Sequence, residues 1–259
     1  MSPTIQYQQP DSLIWQLLYD KHSDILVAEL RNETNREVSY TALKLNEASI
    51  LWEGMQPEET WWVGAAAAIR DTLFLYEYDE ESQLPTIKST SAYSLNTGQP
   101  LWTKEGYAFE YPTSNGVVVR SNSEQKVLDF QTGKELTDQP ETLSPTQQYM
   151  PEEPTCYQQD NEHFQTLERF LLQKAQAAPY QAVWYHELDN CLVLAFSERT
   201  EEAVRLRLMV FSLNGELLYQ DTLDEATKEV ASSPFITIDN HLIYIKNKQK
   251  LICLPLKGI

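Results

Sequence analysis

Residues 92–102 (AYSLNTGQPLW) hold a strand, a polar turn and a second strand within eleven positions, and the same frame returns at 127–137 (VLDFQTGKELT) and 209–219 (MVFSLNGELLY). Weaker copies lie at 42–52 and 252–258. Apolar residues alternate on either side of a Thr-Gly or Asn-Gly pair, which is hairpin chemistry, because glycine supplies the positive φ that such tight turns need. Four of the eight glycines, Gly98, Gly133, Gly215 and Gly258, fall at the same place in the frame. A chain that repeats one hairpin in this way is constrained to a repeat architecture.

A second turn precedes each copy, at Asp24, Asp71, Asn115, Asn190 and Asn240, and an apolar run follows it at once, as at 25–28 (ILVA) and 191–195 (CLVLA). These turns are 47, 44, 75 and 50 residues apart. Four strands with their turns take about 40–50 residues. The spacing therefore predicts an all-β chain, a β-propeller of five four-stranded blades, as a single domain over residues 1–259. The last unit stops one residue after Gly258, before an outermost strand could form, and residues 4–9 (TIQYQQ) alternate as a strand that could complete it and close the ring.

The long interval predicts an insertion over residues 139–179 between the third and fourth blades. Its first part, 139–154, carries four prolines in sixteen positions and reads as a long loop. Its second part has a helical period over about 160–177, with Phe164, Leu167, Phe170, Leu171 and Ala175 on one face. Asp160 or Asn161 can cap it, Glu162 suits its positive end and Pro179 stops it. Such a helix is expected to cap an end or the rim of the ring.

The eleven-residue frame resembles the repeat of quinoprotein-like (PQQ-type) β-propellers, in which an early Ala and a late Trp wedge between blades and a Thr-Gly forms the turn. Ala92, Thr97, Gly98 and Trp102 match it residue by residue. The Asp that the repeat places third is Ser94 in this copy and Asp129 in the next, while the late Trp becomes Thr137 and Tyr219 in the other copies. The resemblance implies a propeller. Quinone-dependent dehydrogenases of this type are larger and exported, so the chain reads as an uncharacterised cytoplasmic offshoot, a domain of unknown function, and fold alone transfers no activity.

Twenty basic against thirty-eight acidic residues give a formal charge of −18. A surface this acidic repels phosphate backbones and anionic lipid heads, so neither nucleic acid nor membrane is expected as a partner. The first residues lack a basic start and an apolar run, and no stretch approaches the roughly 18 apolar residues of a membrane span. Cys156, Cys191 and Cys253 are too scattered for a disulfide framework, and the last two sit in strand patterns as inert thiols. The expected compartment is the cytoplasm. Acidic pairs and triplets at 58–59, 79–81 and 152–153 read as solvated loop residues.

Phosphate-cradling, zinc and serine-nucleophile motifs are absent from the sequence, and His22, His163, His186 and His241 lie one to a segment, so neither metal nor cofactor is expected. Paired carboxylates remain. Glycoside chemistry needs one protonated and one ionised carboxyl facing each other. The innermost strands, just before each landmark turn, offer Asp20, Glu110, Glu187 and Asp189, of which Glu110 and Glu187 are the better catalytic candidates. Trp15, Trp61, Trp62, Tyr107, Phe109, Trp184 and Phe235 fall in or near those strands, mostly as expected core. Trp61 and Trp62 are adjacent and face opposite ways in a strand, so Trp62 is a candidate ligand platform beside acidic residues, with Trp184 and His186 as further candidates. The leading expectation is a non-catalytic binding or scaffold propeller for a protein or small molecule. The alternative is a carbohydrate-active or related hydrolase using Glu110 and Glu187. A quinone-dependent oxidoreductase, implied only by the resemblance, comes third.

Overall fold

The structure, a computed structural model, describes residues 4–80, 86–122, 124–137, 151–201, 203–227 and 233–258. Its described residues form antiparallel sheets and one α-helix, and they fall into two compact units, Asp11–Met150 and a second made of Met1–Pro10 with Pro151–Ile259. The first strand, β1 (Ile5–Gln8), belongs to the second unit.

The unit Asp11–Met150 holds three sheets, each a meander in chain order. The first is β2 (Leu13–Asp20), β3 (Ile25–Asn32), β4 (Glu37–Lys44) and β5 (Ser49–Met55). The second is β6 (Val63–Ile69), β7 (Thr72–Tyr78), β8 (Ile87–Ser94) and β9 (Pro100–Glu105). The third is β10 (Ala108–Pro112), β11 (Val117–Ser121) and β12 (Glu124–Leu128), followed by an isolated bridge from Leu128 to Glu135. The sheets stack face to face. Ile25, Val27, Val38 and Tyr40 of the first meet Val63, Ala65, Leu73 and Leu75 of the second, whose opposite face sets Phe74 and Ala92 against Val117 and Val119 of the third. Central strands buried on both faces explain why their sequences run apolar without alternation. The segment 65–68 (AAAA) is part of β6, and its small side chains lie in that close-packed zone.

Both sequence signatures are structural joints. Each of the five landmark turns connects two successive strands, the first and second of a meander at Asp24, Asp71, Asn115 and Asn240 and the second and third of a five-stranded sheet at Asn190, with β2 joined to β3 at Asp24 and β6 to β7 at Asp71. The carbonyls of Asp24 and Asp71 accept from Leu45 N and Leu95 N of the frame that follows, at 3.2 and 2.8 Å. Ala42 pairs with Trp52 and Ala92 with Trp102 across the frame hairpins. Gly98, Gly133, Gly215 and Gly258 all have positive φ, and in the weaker first copy Ala48 takes that place at φ +49.

The late tryptophans then dock sheet to sheet. The indole of Trp52 lies on the Gly98 turn and its Nε1 donates to Leu95 O at 2.7 Å, and Trp102 repeats this on the Gly133 turn, donating to Phe130 O at 2.9 Å. A side chain at Gly133 would stand 2.7 Å from the Trp102 ring, so glycine permits the approach as well as the turn.

The second unit contains a five-stranded sheet of β13 (Thr155–Gln158), β14 (Pro179–Glu187), β15 (Cys191–Arg199), β16 (Val204–Ser212) and β17 (Leu217–Asp224). Its other sheet has the order β1, β20 (Lys250–Pro255), β19 (His241–Lys246), β18 (Phe235–Ile238). The N-terminal segment therefore does pair with the last strand, Ile5 opposite Cys253 and Tyr7 opposite Leu251, both of them buried. Trp184, Val193, Leu208 and Val210 form one core with Phe235, Leu242, Tyr244 and Ile252 of that sheet.

Helix α1 (Glu162–Ala175) is capped by Asn161, whose side chain accepts from His163 N, and ends at Gln176 in the left-handed region. Phe164 and Leu171 pack on the remaining face of the five-stranded sheet, against Val183, Leu194, Phe196, Met209 and Phe211. Strand β13 was not expected either: it occupies the edge of β14 that would otherwise be open. The Pro-rich stretch up to residue 150 and the acidic residue at 81 lie outside the described residues. Among the described residues no helix is long and apolar enough to cross a membrane.

Candidate functional site

The most elaborate side-chain arrangement lies in the unit Asp11–Met150 and starts from a β-bulge. On β2, Ile14 opposes Leu30 and Gln16 opposes Glu29, so Trp15 is the extra residue between them. A bulge re-aims a side chain. Trp15 points out, 63% exposed, where the sequence favoured core. Its ring lies 5.2 Å from the guanidinium carbon of Arg31 near the end of β3. Arg31 also lies 5.4 Å from the Trp61 ring, Arg36 is 5.8 Å from the same ring, and Arg36 is 5.9 Å from Trp62. The order is Trp15, Arg31, Trp61, Arg36, Trp62, a ladder that alternates indole and guanidinium and ends in an exposed indole on both sides.

A buried ion pair fixes the centre of this ladder. Glu29 is 1% exposed; its Oε1 accepts from Arg31 Nε at 2.9 Å and from Nη2 at 2.7 Å, and its Oε2 accepts from Ala65 N at 2.9 Å. Arg31 Nη2 donates to Val63 O at 2.7 Å. A carboxylate this deep is tolerated because its lone pairs are filled by a guanidinium and a backbone N–H. The pair also joins β3 to β6. The Trp61–Trp62 loop is held by Glu59, whose Oε1 accepts from the backbone N–H of both tryptophans at 2.7 and 2.9 Å, and Thr60 O accepts from Val38 N at 2.6 Å. Behind the ladder, burial pushes Tyr40 well above its usual range, and burial with the neighbouring Tyr78 and Glu29 pushes Tyr76 up to about 12.

The carboxylate candidates sit elsewhere and are occupied. Glu110 is itself a bulged residue of β10, between Phe109 and Tyr111, and its two oxygens accept from Arg120 Nε and Gln125 Nε2 of the same sheet. Glu187, on β14, accepts from the Tyr185 hydroxyl; burial first, then this bond, pushes Tyr185 up to about 12. Glu110 and Glu187 belong to different units. Asp20, read as a turn residue, ends β2 almost fully buried, accepting from His22 N, Ser23 Oγ and Asp71 N. Asp189 lies in the turn between β14 and β15.

Of the remaining ligand candidates, Trp62 is 40% exposed on the ladder, whereas Trp184 is buried with its Nε1 lacking a hydrogen-bond partner. His186 is largely buried, with Nε2 3.1 Å from Thr237 Oγ1 and 3.2 Å from Glu152 Oε2. His22 is exposed in its turn, and His241 opens β19 half-buried. Among the described residues no three His, Cys, Asp or Glu side chains are grouped so that they could hold a metal ion. Arg31 and Arg36 escaped sequence reasoning; the one available signal was the spacing of three tryptophans near the starts of two first strands.

Fold and side chains together define an all-β chain of stacked antiparallel meanders whose conspicuous surface feature is an aromatic–arginine array. A model of the family described as Domain of unknown function (DUF4905) matches residues 19–102, about a third of the chain. The matched span includes Glu29, Arg31, Arg36, Trp61 and Trp62, and ends on Trp102. No curated protein matches the chain.

Proposed function

We propose that the five sheets are the blades of a quinoprotein-like β-propeller, completed by β1, and that the protein is a non-catalytic binding scaffold working in the cytoplasm. The propeller reading is supported by meanders following one another in chain order and by the repeated docking of Trp52 and Trp102 on the next frame's glycine turn. Three free thiols, none paired, fit a reducing compartment.

The observation that carries the binding reading is the ladder: exposed indoles held by a buried ion pair are a rigid, partly apolar platform of the kind recognition surfaces use. The hydrolase alternative has less support. Both oxygens of Glu110 are taken by Arg120 and Gln125, Glu187 is taken by the Tyr185 hydroxyl, and the two carboxylates lie in different units, whereas glycoside chemistry needs a facing pair. The test is a thermal-shift screen against calcium, magnesium, sugars, nucleotides and a quinone, run beside turnover assays on chromogenic glycosides. The expected result is no turnover, whichever ligand class stabilises the fold. Turnover that disappears in Glu110→Gln or Glu187→Gln would overturn the scaffold reading.

A further inference from the structure

We propose that the ladder binds a basic, arginine-containing extended segment of a partner protein, whose guanidinium groups add the next rung at Trp15 and at Trp62. This deepens the scaffold reading and rests on it. Trp61 shows what an indole at this site takes: it has a guanidinium at 5.4 Å and another at 5.8 Å. Trp15 and Trp62 have Arg31 at 5.2 Å and Arg36 at 5.9 Å respectively, and are still 63% and 40% exposed. The charge of Arg31 is already met by Glu29 beneath it, so it does not repel a cation arriving at the outer face of Trp15.

The surroundings have the complementary sign. Exposed Glu33 lies in the turn that carries Arg36, and exposed Glu58 precedes the loop that carries Trp61 and Trp62. The bond from Val38 N to Thr60 O ties those two segments side by side. Arg36 is thus outnumbered by Glu33, Glu37, Glu58 and Glu59 in the same two segments, on a chain of net charge −18. A planar, weakly hydrated guanidinium meets both requirements at once, stacking on indole while its edge donates to carboxylate. An extended peptide suits two rungs that are separated along one surface, and acidic flanks favour its capture.

The probe is a fluorescein-labelled nine-residue peptide of alternating arginine and serine, titrated against the full chain by fluorescence anisotropy at about 50 mM salt. Its controls are the same peptide with citrulline, which keeps the shape and removes the charge, and with lysine. Binding is expected, weaker for lysine and lost for citrulline. Trp15→Ala with Trp62→Ala should weaken it by about five- to thirtyfold, the loss of two exposed cation–π contacts. Both side chains are exposed, so unchanged melting of the double variant verifies folding. Equal binding by wild type and double variant would mean bulk charge alone and would overturn the proposal, as would no binding at 1 mM peptide. Tryptophan-dependent binding of a neutral oligosaccharide in place of the peptide would overturn the choice of partner while leaving the scaffold reading intact. Only turnover would remove that reading.

Discussion

Replacing Gly133 with alanine tests the docking of one sheet on the next. Gly133 has φ +62, a conformation that costs an L-residue about 1–2 kcal/mol. Its new Cβ would lie 2.7 Å from Cγ and Cδ2 of Trp102, about 1 Å inside an ordinary carbon contact of roughly 3.5–4.0 Å. The indole must withdraw by about that distance, which stretches its 2.9 Å bond to Phe130 O beyond hydrogen-bonding range and costs about 1 kcal/mol more, before any loss of packing. The expected total is about 3 kcal/mol. Gly54→Ala is the control, since Gly54 has φ +68 but nothing within 4 Å of the added carbon, and only the backbone cost of about 1–2 kcal/mol applies. Trp102→Ala alone, at a half-buried position, should cost about 2–3 kcal/mol. Combined with it, Gly133→Ala should fall to the Gly54 value, because the obstructing ring is gone. Urea unfolding of the four proteins should therefore give a coupling of about 1–2 kcal/mol. A coupling below about 0.5 kcal/mol would show that the ring does not rest on the turn, and the docking argument would fail with it.

Removing residues 1–9 withdraws buried Ile5 and Tyr7 and exposes an edge of β20, which should lower Tm by about 10 °C or more; an unchanged Tm would deny that β1 completes the sheet. Ala48→Gly should stabilise the protein by about 0.5–1 kcal/mol, because Ala48 holds the positive-φ place that glycine fills in the other frames, and a loss of stability would refute the equivalence. Burial raises all three thiols, Cys253 up to about 12, but Cys156 alone is exposed, so a thiol reagent at pH 8 should label Cys156 alone in the native protein and all three cysteines after denaturation. Burial opposes ionisation of Asp221, but hydrogen bonds from Lys246 Nζ and the Tyr244 hydroxyl outweigh it and hold the carboxyl below its ordinary 3.8. That stabilisation is present above pH 3.8 and disappears as pH falls through the lower folded value, so wild type and Asp221→Asn should converge in stability on acidification; a constant gap would contradict it.

What could be read from the sequence was what local chemistry decides. Turns at Asp24, Asp71, Asn115, Asn190 and Asn240 each separate two successive strands of one sheet, because a polar turn before an apolar run needs no distant partner to be recognised. The helix over Glu162–Ala175 declared its cap, its face and its stop in the same way. Strand β13 did not: four residues, mostly exposed, following prolines, carry no alternating apolar signal, and the strand exists because the edge of β14 was available to pair. The site was less legible still. A bulge is invisible to alternation, so Trp15 read as core, and Arg31 acquires its meaning only from Glu29 on the same strand and Val63 and Ala65 on another. Glu110 likewise read as a catalytic candidate, and its partners Arg120 and Gln125 come beside it only through the meander.

The inserted helix does at the Gly215 turn what an indole does at two earlier ones. Trp52 and Trp102 end their frames and cover the next glycine turns, but position 137 holds threonine, which has no ring to offer. The next turn in the series is at Gly215, with φ +79, and the atoms nearest to a side chain there are Lys174 Cε and Nζ and Phe170 Cε2, all from α1. Phe170 also packs edge-on to Phe211, 5.0 Å between ring centres, one position before the frame's turn begins. The helix therefore covers the Gly215 turn of its own unit, and buries Phe164 and Leu171 on the same sheet face. A ring or a flexible stem thus lies on the turns at Gly98, Gly133 and Gly215, whereas nothing lies within 4 Å of a side chain placed at Gly258. At Gly215 an amphipathic helix with an aromatic ring and a lysine stem facing the turn meets the same physical demand as the indoles at Gly98 and Gly133.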